Sequence, residues 1–185
     1  MNALIPHEDI DTSNLIKVAE QFKVTIRIKP IIADKNTFII IDGHHRFNVL
    51  KNLGYKKIPV ILIDYYSPEI NVNKWYHKIP YNSLSIAVLD KFFSNEGDIC
   101  IRIYNKEVCE STLYNLLWRL ESYEKFLSTR LNLNVQKTPN KDGIEPPDIS
   151  KEDVIRITEE GKVFPPKTTR HTYKFFIPEI SLSIR

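Results

Sequence analysis

Two short β-branched runs on either side of one helical repeat constrain this chain more than any other feature. Phe38-Ile39-Ile40-Ile41 leads directly into Asp42-Gly43-His44-His45-Arg46, and a second run from Ile58 to Ile63 closes a stretch that extends from Thr37 to Tyr66. The first run is short and bounded by Asp-Gly, so it reads as a buried strand and not a helix. Phe47, Leu50 and Leu53 then recur at helical spacing, and Gly54 stands where a C′ glycine ends a helix. The stretch is therefore strand, turn, helix, strand. A turn that opens a helix presents backbone N–H groups without intrahelical partners at the positive end of the helix dipole, which suits an anion and above all a phosphate.

The 185 residues fit one domain, or a domain with a small appended lobe, and 42% hydrophobic content is enough for a core. Twenty-six basic against 23 acidic residues leave a net charge of +3, which gives no ground for a nucleic-acid partner by charge alone. The first residues carry no basic segment followed by a long apolar core, and no run approaches transmembrane length. The expectation is a soluble cytoplasmic protein with no membrane partner. Cys100 and Cys109 lack metal-ligand spacing and are expected to be two thiols in a reducing compartment.

The remaining elements follow from pattern. Asp11-Thr12-Ser13 can cap a short amphipathic helix over 13–21, and Val24, Ile26 and Ile28 alternate as a strand stopped by Pro30. Residues 67–81 read as irregular, with Trp75-Tyr76-His77 either lining a pocket or plugging the core. A helix over 83–93 is followed by a strand at 99–103, which turns as a hairpin through Asn105-Lys106. A leucine-striped helix from Leu113 to Leu131 follows, with Ser111 as its cap. Residues 132–150 read as a linker, Ser150 and Asp153 as a capping pair for a helix ending near Gly161, and the tail from Val163 as extended.

Three clusters can carry chemistry: Glu8, the turn Asp42 to Arg46, and Lys167 to His171. Two histidines and an arginine at a helix start supply donors for phosphate oxygens, and Lys167-Thr168-Thr169-Arg170-His171 adds a second donor set, so together they read as an anion site. His44 and His45 are poor joint zinc ligands, because adjacent helical residues point about 100° apart. Neither a Walker A loop nor a Gly-x-Gly-x-x-Gly fingerprint is present.

Set between two β-branched strands, Asp42-Gly43-His44-His45-Arg46 resembles the signature turn of the ParB/sulfiredoxin-like fold, and within that group the free L-serine kinases. Pro6-His7-Glu8, Lys74-Trp75-Tyr76 and the run Gly161 to His171, which includes Phe164-Pro165-Pro166-Lys167-Thr168-Thr169-Arg170, extend the likeness over 1–80 and 150–185. Residues 81–149 match poorly and are expected to form an interior lobe. The resemblance implies an α+β fold, with a mixed sheet and helices plus a small α/β lobe. It implies phosphoryl transfer from ATP or ADP to the hydroxyl of L-serine, giving O-phospho-L-serine with Mg²⁺. On that basis Glu8 is the general base, and Asp42 is a second essential carboxylate or magnesium ligand. Gly43, His44, His45 and Arg46 hold the nucleotide phosphates. Trp75, Lys167, Thr168, Thr169, Arg170 and His171 enclose the serine. Sulfiredoxin chemistry is excluded, because His44 stands where that family carries its cysteine. The alternative from another class is a ParB-type module that binds CTP and DNA without serine turnover. The expected partners are L-serine and a nucleotide, and no nucleic acid.

Overall fold

The computed structural model describes residues 3–177 and 180–183. The elements, in chain order, are α1 (Thr12–Thr25), β1 (Arg27–Ile28), β2 (Ile31–Asp34), β3 (Ile40–Asp42), α2 (His44–Asn52), β4 (Val60–Ile63), β5 (Ile70–Lys74), β6 (Tyr76–Lys78), α3 (Ser83–Leu89), β7 (Ile99–Ile103), β8 (Lys106–Glu110), α4 (Leu113–Arg130), β9 (Gln136–Thr138), α5 (Lys151–Glu159), β10 (Thr169–Tyr173) and β11 (Leu182–Ser183). The fold is α+β, with helices and small mixed sheets. Two compact units divide it: Met1–Val72 with Ser150–Pro166 and His171–Arg185, and Asn73–Ile149 with Lys167–Arg170.

The first unit is built on a three-stranded sheet of order β3-β2-β4, in which β2 runs antiparallel to β3 and parallel to β4. All four residues of the central strand β2 are buried, a strand that the sequence pattern does not predict. Pro30, read as the end of a strand, instead precedes the start of this one. Asp34 ends β2 and is itself buried. Burial alone would raise its pKa, but the N–H groups of Tyr65, Thr37 and Asn36 and the Thr37 hydroxyl donate to its carboxylate and hold it below the usual range.

Helix α2 lays Phe47, Val49 and Leu50 against Phe22, Ile28, Ile31 and Ile40. It stops at the C-cap Leu53, and the next residue, Gly54, takes φ +79° as a C′ glycine should. Helix α1 runs four residues beyond its expected end. Val24 is helical and 85% exposed, and Ile26 is the left-handed cap, so only Ile28 of the anticipated alternation is a buried strand residue. α5 carries the expected capping box, Ser150 with Asp153.

In the second unit, Leu116, Leu117, Leu120, Tyr123 and Leu127 of α4 are buried, and all but Leu117 pack with Ile101, Ile103 and Val108 of the β7–β8 hairpin. The cap of α4 is Thr112, which accepts from the Asn115 N–H, and not Ser111. Two expectations are corrected here. Cys100 and Cys109 face each other across the hairpin and are joined as a disulfide, so they are not free thiols. Parts of the stretches read as irregular, 67–81 and 132–150, are ordered: β5 and β6 form in the first, and β9 of the second pairs with β6. Their apolar signal is weak, since β5 buries only Ile70 and β9 buries nothing fully. Beyond β9, His77 and Ile144 exchange backbone hydrogen bonds of 3.0 and 2.9 Å. Gly143 beside them has φ +124°, and a Cβ there would lie 2.5 Å from the His77 carbonyl.

No described helix is long and apolar enough to cross a membrane. Among the described residues, the grouping compact enough for a metal by His, Cys, Asp and Glu alone is Cys100, Glu107 and Cys109, and its sulfurs are bonded to each other.

Candidate active site

Gly43 makes the turn of the first unit possible. It is the N-cap of α2 with φ +107°, and a Cβ on it would come within 3.0 Å of the Arg46 guanidinium. That guanidinium folds back over the turn. Its Nη2 donates to Asp42 Oδ2 at 2.5 Å, and its Nη1 donates to the carbonyls of Pro30 at 2.6 Å and Lys29 at 3.2 Å. Arg46 thus ties Asp42 to the lead-in of β2. The Asp42 side chain remains 58% exposed, so the pair stands at the rim of the turn.

The N-terminal loop lies across the start of α2 and is held by both histidines of the turn. His44 Nε2 accepts the backbone N–H of His7 at 3.3 Å, and His45 Nε2 accepts that of Asp11 at 3.1 Å. On the other side of the loop, the Phe164 N–H donates to the His7 carbonyl and the Asp9 N–H donates to the Phe164 carbonyl, each at 2.8 Å. Glu8 is therefore fixed between two clamped neighbours, and its side chain is 11% exposed.

Beneath Glu8 is a packed group of three imidazoles. The His7 ring stands edge-on to His44, with centroids 4.6 Å apart, and to His171, 5.4 Å apart. His7 Nδ1 lies 2.6 Å from the Ile40 carbonyl, which can only accept, so Nδ1 carries the proton and Nε2 faces Glu8 Oε1 at 3.9 Å. His171 Nε2 is 2.9 Å from the Tyr65 hydroxyl. Burial drives all three rings toward neutrality. The pKa of His7 is lowered to about 4, and His44 and His171 lie well below the ordinary histidine value, their neighbouring imidazoles adding to the effect. The group therefore orders the loop without adding positive charge.

The sequence assigned Lys167 to His171 to one segment, and the unit boundary passes through it. His171 belongs to the first unit and joins the imidazole group. In the second unit, Lys167 Nζ lies 5.7 Å over the Trp75 ring, and Trp75 Nε1 donates to the Thr169 carbonyl at 3.1 Å. Thr168 and Thr169 are buried there and Arg170 is half-buried. Trp75 thus lies beneath a lysine and is tied to the main chain. Lys74 beside it pairs with Glu145 at 2.9 Å and Asp148 at 2.7 Å.

Sequence reasoning gave no role to His7, Tyr65 or Tyr173. His7 was legible only as the neighbour of Glu8. Tyr65 follows Asp64 and Tyr173 stands between Thr172 and Lys174, and a single phenol in such a run leaves no spacing to read.

Comparison with known proteins gives a consistent set of likenesses. No family model matches the chain. It is 39% identical over 180 residues to a ParB-like protein of Sulfolobus acidocaldarius, covering 95% of this chain and 89% of that protein. It is 29% identical to an ATP-dependent L-serine kinase of Staphylothermus marinus, covering 98% of this chain and 86% of the relative. It is 23% identical to an ADP-dependent L-serine kinase of Thermococcus kodakarensis, covering 100% and 89%. Among solved structures, a free serine kinase in complex with AMP superposes with a TM-score of 0.79 at 21% identity, over 94% of this chain and 86% of that one, which establishes the shared fold.

Proposed function

The chain belongs to the ParB-like protein family, with the ATP- and ADP-dependent L-serine kinases among its relatives, and from that premise we propose that it is itself a free L-serine kinase. It transfers a phosphoryl group from ATP or ADP to the hydroxyl of L-serine and releases O-phospho-L-serine. The observation that carries this reading is the clamp on Glu8. Two backbone N–H groups of the loop are held by the two histidines of the turn, so a carboxylate is placed beside a helix start suited to phosphate. Phosphoryl transfer asks chiefly for such positioning and for charge stabilisation.

In this mechanism Glu8 accepts the serine Oγ proton as Oγ attacks the terminal phosphorus, and the bond from that phosphorus to the nucleotide's bridging oxygen breaks, leaving ADP or AMP. The backbone N–H groups that open α2 bind phosphate oxygens. His44 and His45 act chiefly by holding the loop, because their Nε2 atoms accept its N–H groups. Arg46 orients Asp42. The residues fit a magnesium ion: Asp42 offers an exposed carboxylate with Oδ2 on Arg46, and Mg²⁺ takes one or two carboxylates together with phosphate oxygens, whose charge it would neutralise.

The test is to incubate the protein and Mg²⁺ with ATP, ADP or CTP and a panel of hydroxyl amino acids. The expected result is phosphoserine with the matching nucleotide product from ATP or ADP. CTP binding with salt-sensitive DNA association and no phosphoserine would replace the kinase reading with a ParB-type module.

A further inference from the structure

The Cys100–Cys109 bridge belongs to the second unit and takes no part in the reaction proposed above. Ile103 and Lys106 close the β7–β8 hairpin over a two-residue turn, and from there the cross-strand pairs alternate between hydrogen-bonded and non-hydrogen-bonded. Cys100 and Cys109 fall on a non-hydrogen-bonded pair, the kind whose side chains approach most closely, with Cα atoms 4.1 Å apart. Arg102 and Glu107 form the next such pair toward the turn, so all four side chains share one face of the hairpin. The other face carries Ile101, Ile103 and Val108 into the core. Burial of that face already sets the register of the two strands without the bridge.

The outward face holds a compact donor set. The two sulfurs and a Glu107 carboxylate oxygen all lie within 4.8 Å of one another. Both cysteines are half-buried and Glu107 is exposed, so a reductant and an ion can reach them. Among the described residues, no ion pair joins Glu107 to Arg102 opposite, so its carboxylate is not drawn away from the sulfurs.

We propose that this face is a redox-gated site for a thiophilic divalent cation such as Zn²⁺, held by Cys100, Cys109 and Glu107, closed while the cysteines are bridged and opened by a dithiol reductant. The inference does not rest on the kinase reading. One thiolate of the reductant attacks a bridge sulfur and breaks the S–S bond, and its second thiolate resolves the mixed disulfide. Two electrons and two protons thus pass to the protein as two thiols, and the reductant leaves as its own disulfide. The cation then displaces those two protons, because thiolate is the ligand. Tetrahedral Zn²⁺ with bonds of about 2.3 Å to sulfur holds two sulfurs about 3.8 Å apart, a spacing that rotation about the Cα–Cβ bonds reaches from Cα atoms 4.1 Å apart. Glu107 supplies the third ligand and water the fourth. Two sulfurs select against Mg²⁺, which takes oxygen ligands.

The test compares the full chain before and after treatment with dithiothreitol, removed by anaerobic gel filtration, in a titration with Co²⁺ as a spectroscopic stand-in for Zn²⁺. The reduced protein should bind one equivalent with sulfur-to-cobalt charge-transfer absorbance, which Zn²⁺ abolishes and excess Mg²⁺ does not. The untreated protein should show no such absorbance. Glu107→Gln keeps both thiolates and should bind at least about tenfold more weakly, the lower end of what loss of even an outer partner of a metal ligand costs. A readout that needs no variant is alkylation of the reduced wild type by iodoacetamide, which Zn²⁺ should slow at both thiols. Absence of the charge-transfer band, or an alkylation rate indifferent to Zn²⁺, would overturn the site. The same band before reduction would overturn the gate, and unchanged affinity in Glu107→Gln would overturn the three-ligand set.

Discussion

Each unit of this protein buries histidine, and the two do so by opposite means. In the first unit, His7 and His44 are satisfied by the main chain: the Ile40 carbonyl for one ring, the His7 N–H for the other. In the second, His77 Nδ1 lies 2.6 Å from Glu124 Oε1, and Lys137 reaches Glu124 at 3.8 Å and Glu121 at 2.6 Å. A neutral ring on a carbonyl brings no countercharge, so the imidazole group adds no positive charge to the start of α2. A buried carboxylate must be matched by donors, and the network around Glu124 holds β6 to α4. The same residue type thus serves to place a reactive loop in one unit and to join a strand to a helix in the other.

The largest expected effect sharpens the first half of this comparison. Glu8→Gln keeps the shape and the clamped backbone while removing the basic oxygen, so phosphoserine formation should drop by about 10²- to 10⁴-fold, the usual contribution of a general base. The unfolding midpoint should hardly move. Near wild-type turnover by a folded variant would remove Glu8 from the chemistry. In the second unit the effect belongs to stability. Glu124→Leu strands the buried His77 and deprives Lys137 of an acceptor, and breaking a buried pair from one side costs about 3–5 kcal/mol. Urea unfolding should show that loss, and His77→Phe combined with Glu124→Leu should recover much of it, because neither polar group is then left unpaired. A Glu124 variant as stable as wild type would show that the network carries no load.

The legibility of the two regions differs for reasons visible in particular residues. The turn, α2, Gly54, the α5 capping box and the leucine face of α4 were readable because each is a local pattern with one dominant cause. β2 was not, since Ile31-Ile32-Ala33 between Pro30 and Asp34 is too short to show a period. The disulfide follows from register: a hairpin centred between Tyr104 and Asn105 places Cys100 opposite Cys109, which the spacing of two cysteines does not disclose by itself. The clamp by His44 and His45 was invisible, because whether an imidazole meets a phosphate or a backbone N–H depends on a loop more than thirty residues away in sequence. The stretch 132–150 has the composition of a linker, and β9 is held there by backbone bonding to β6, which composition does not report.

The smallest of these effects is also the most direct test of the contrast between the histidines. The sign follows from where each ring's pKa moves. In the unfolded chain His7 titrates near the ordinary value of 6.5, and in the folded protein burial lowers it to about 4. Between those values the unfolded state binds a proton that the folded state refuses, so the stability of the fold is fully present above about pH 6.5 and is lost as pH falls toward 4. For His7 alone the loss approaches about 3 kcal/mol at the bottom of that window, at 1.36 kcal/mol per pKa unit, and the lowered values of His44 and His171 act in the same direction. Urea unfolding between pH 7 and pH 4.5 should show this slope. His7→Asn should flatten it, because an amide NH₂ can donate to the Ile40 carbonyl without titrating in this range. A wild-type slope that survives the substitution would mean that His7 makes no contribution to the acid sensitivity and is no more constrained in its proton than a surface histidine.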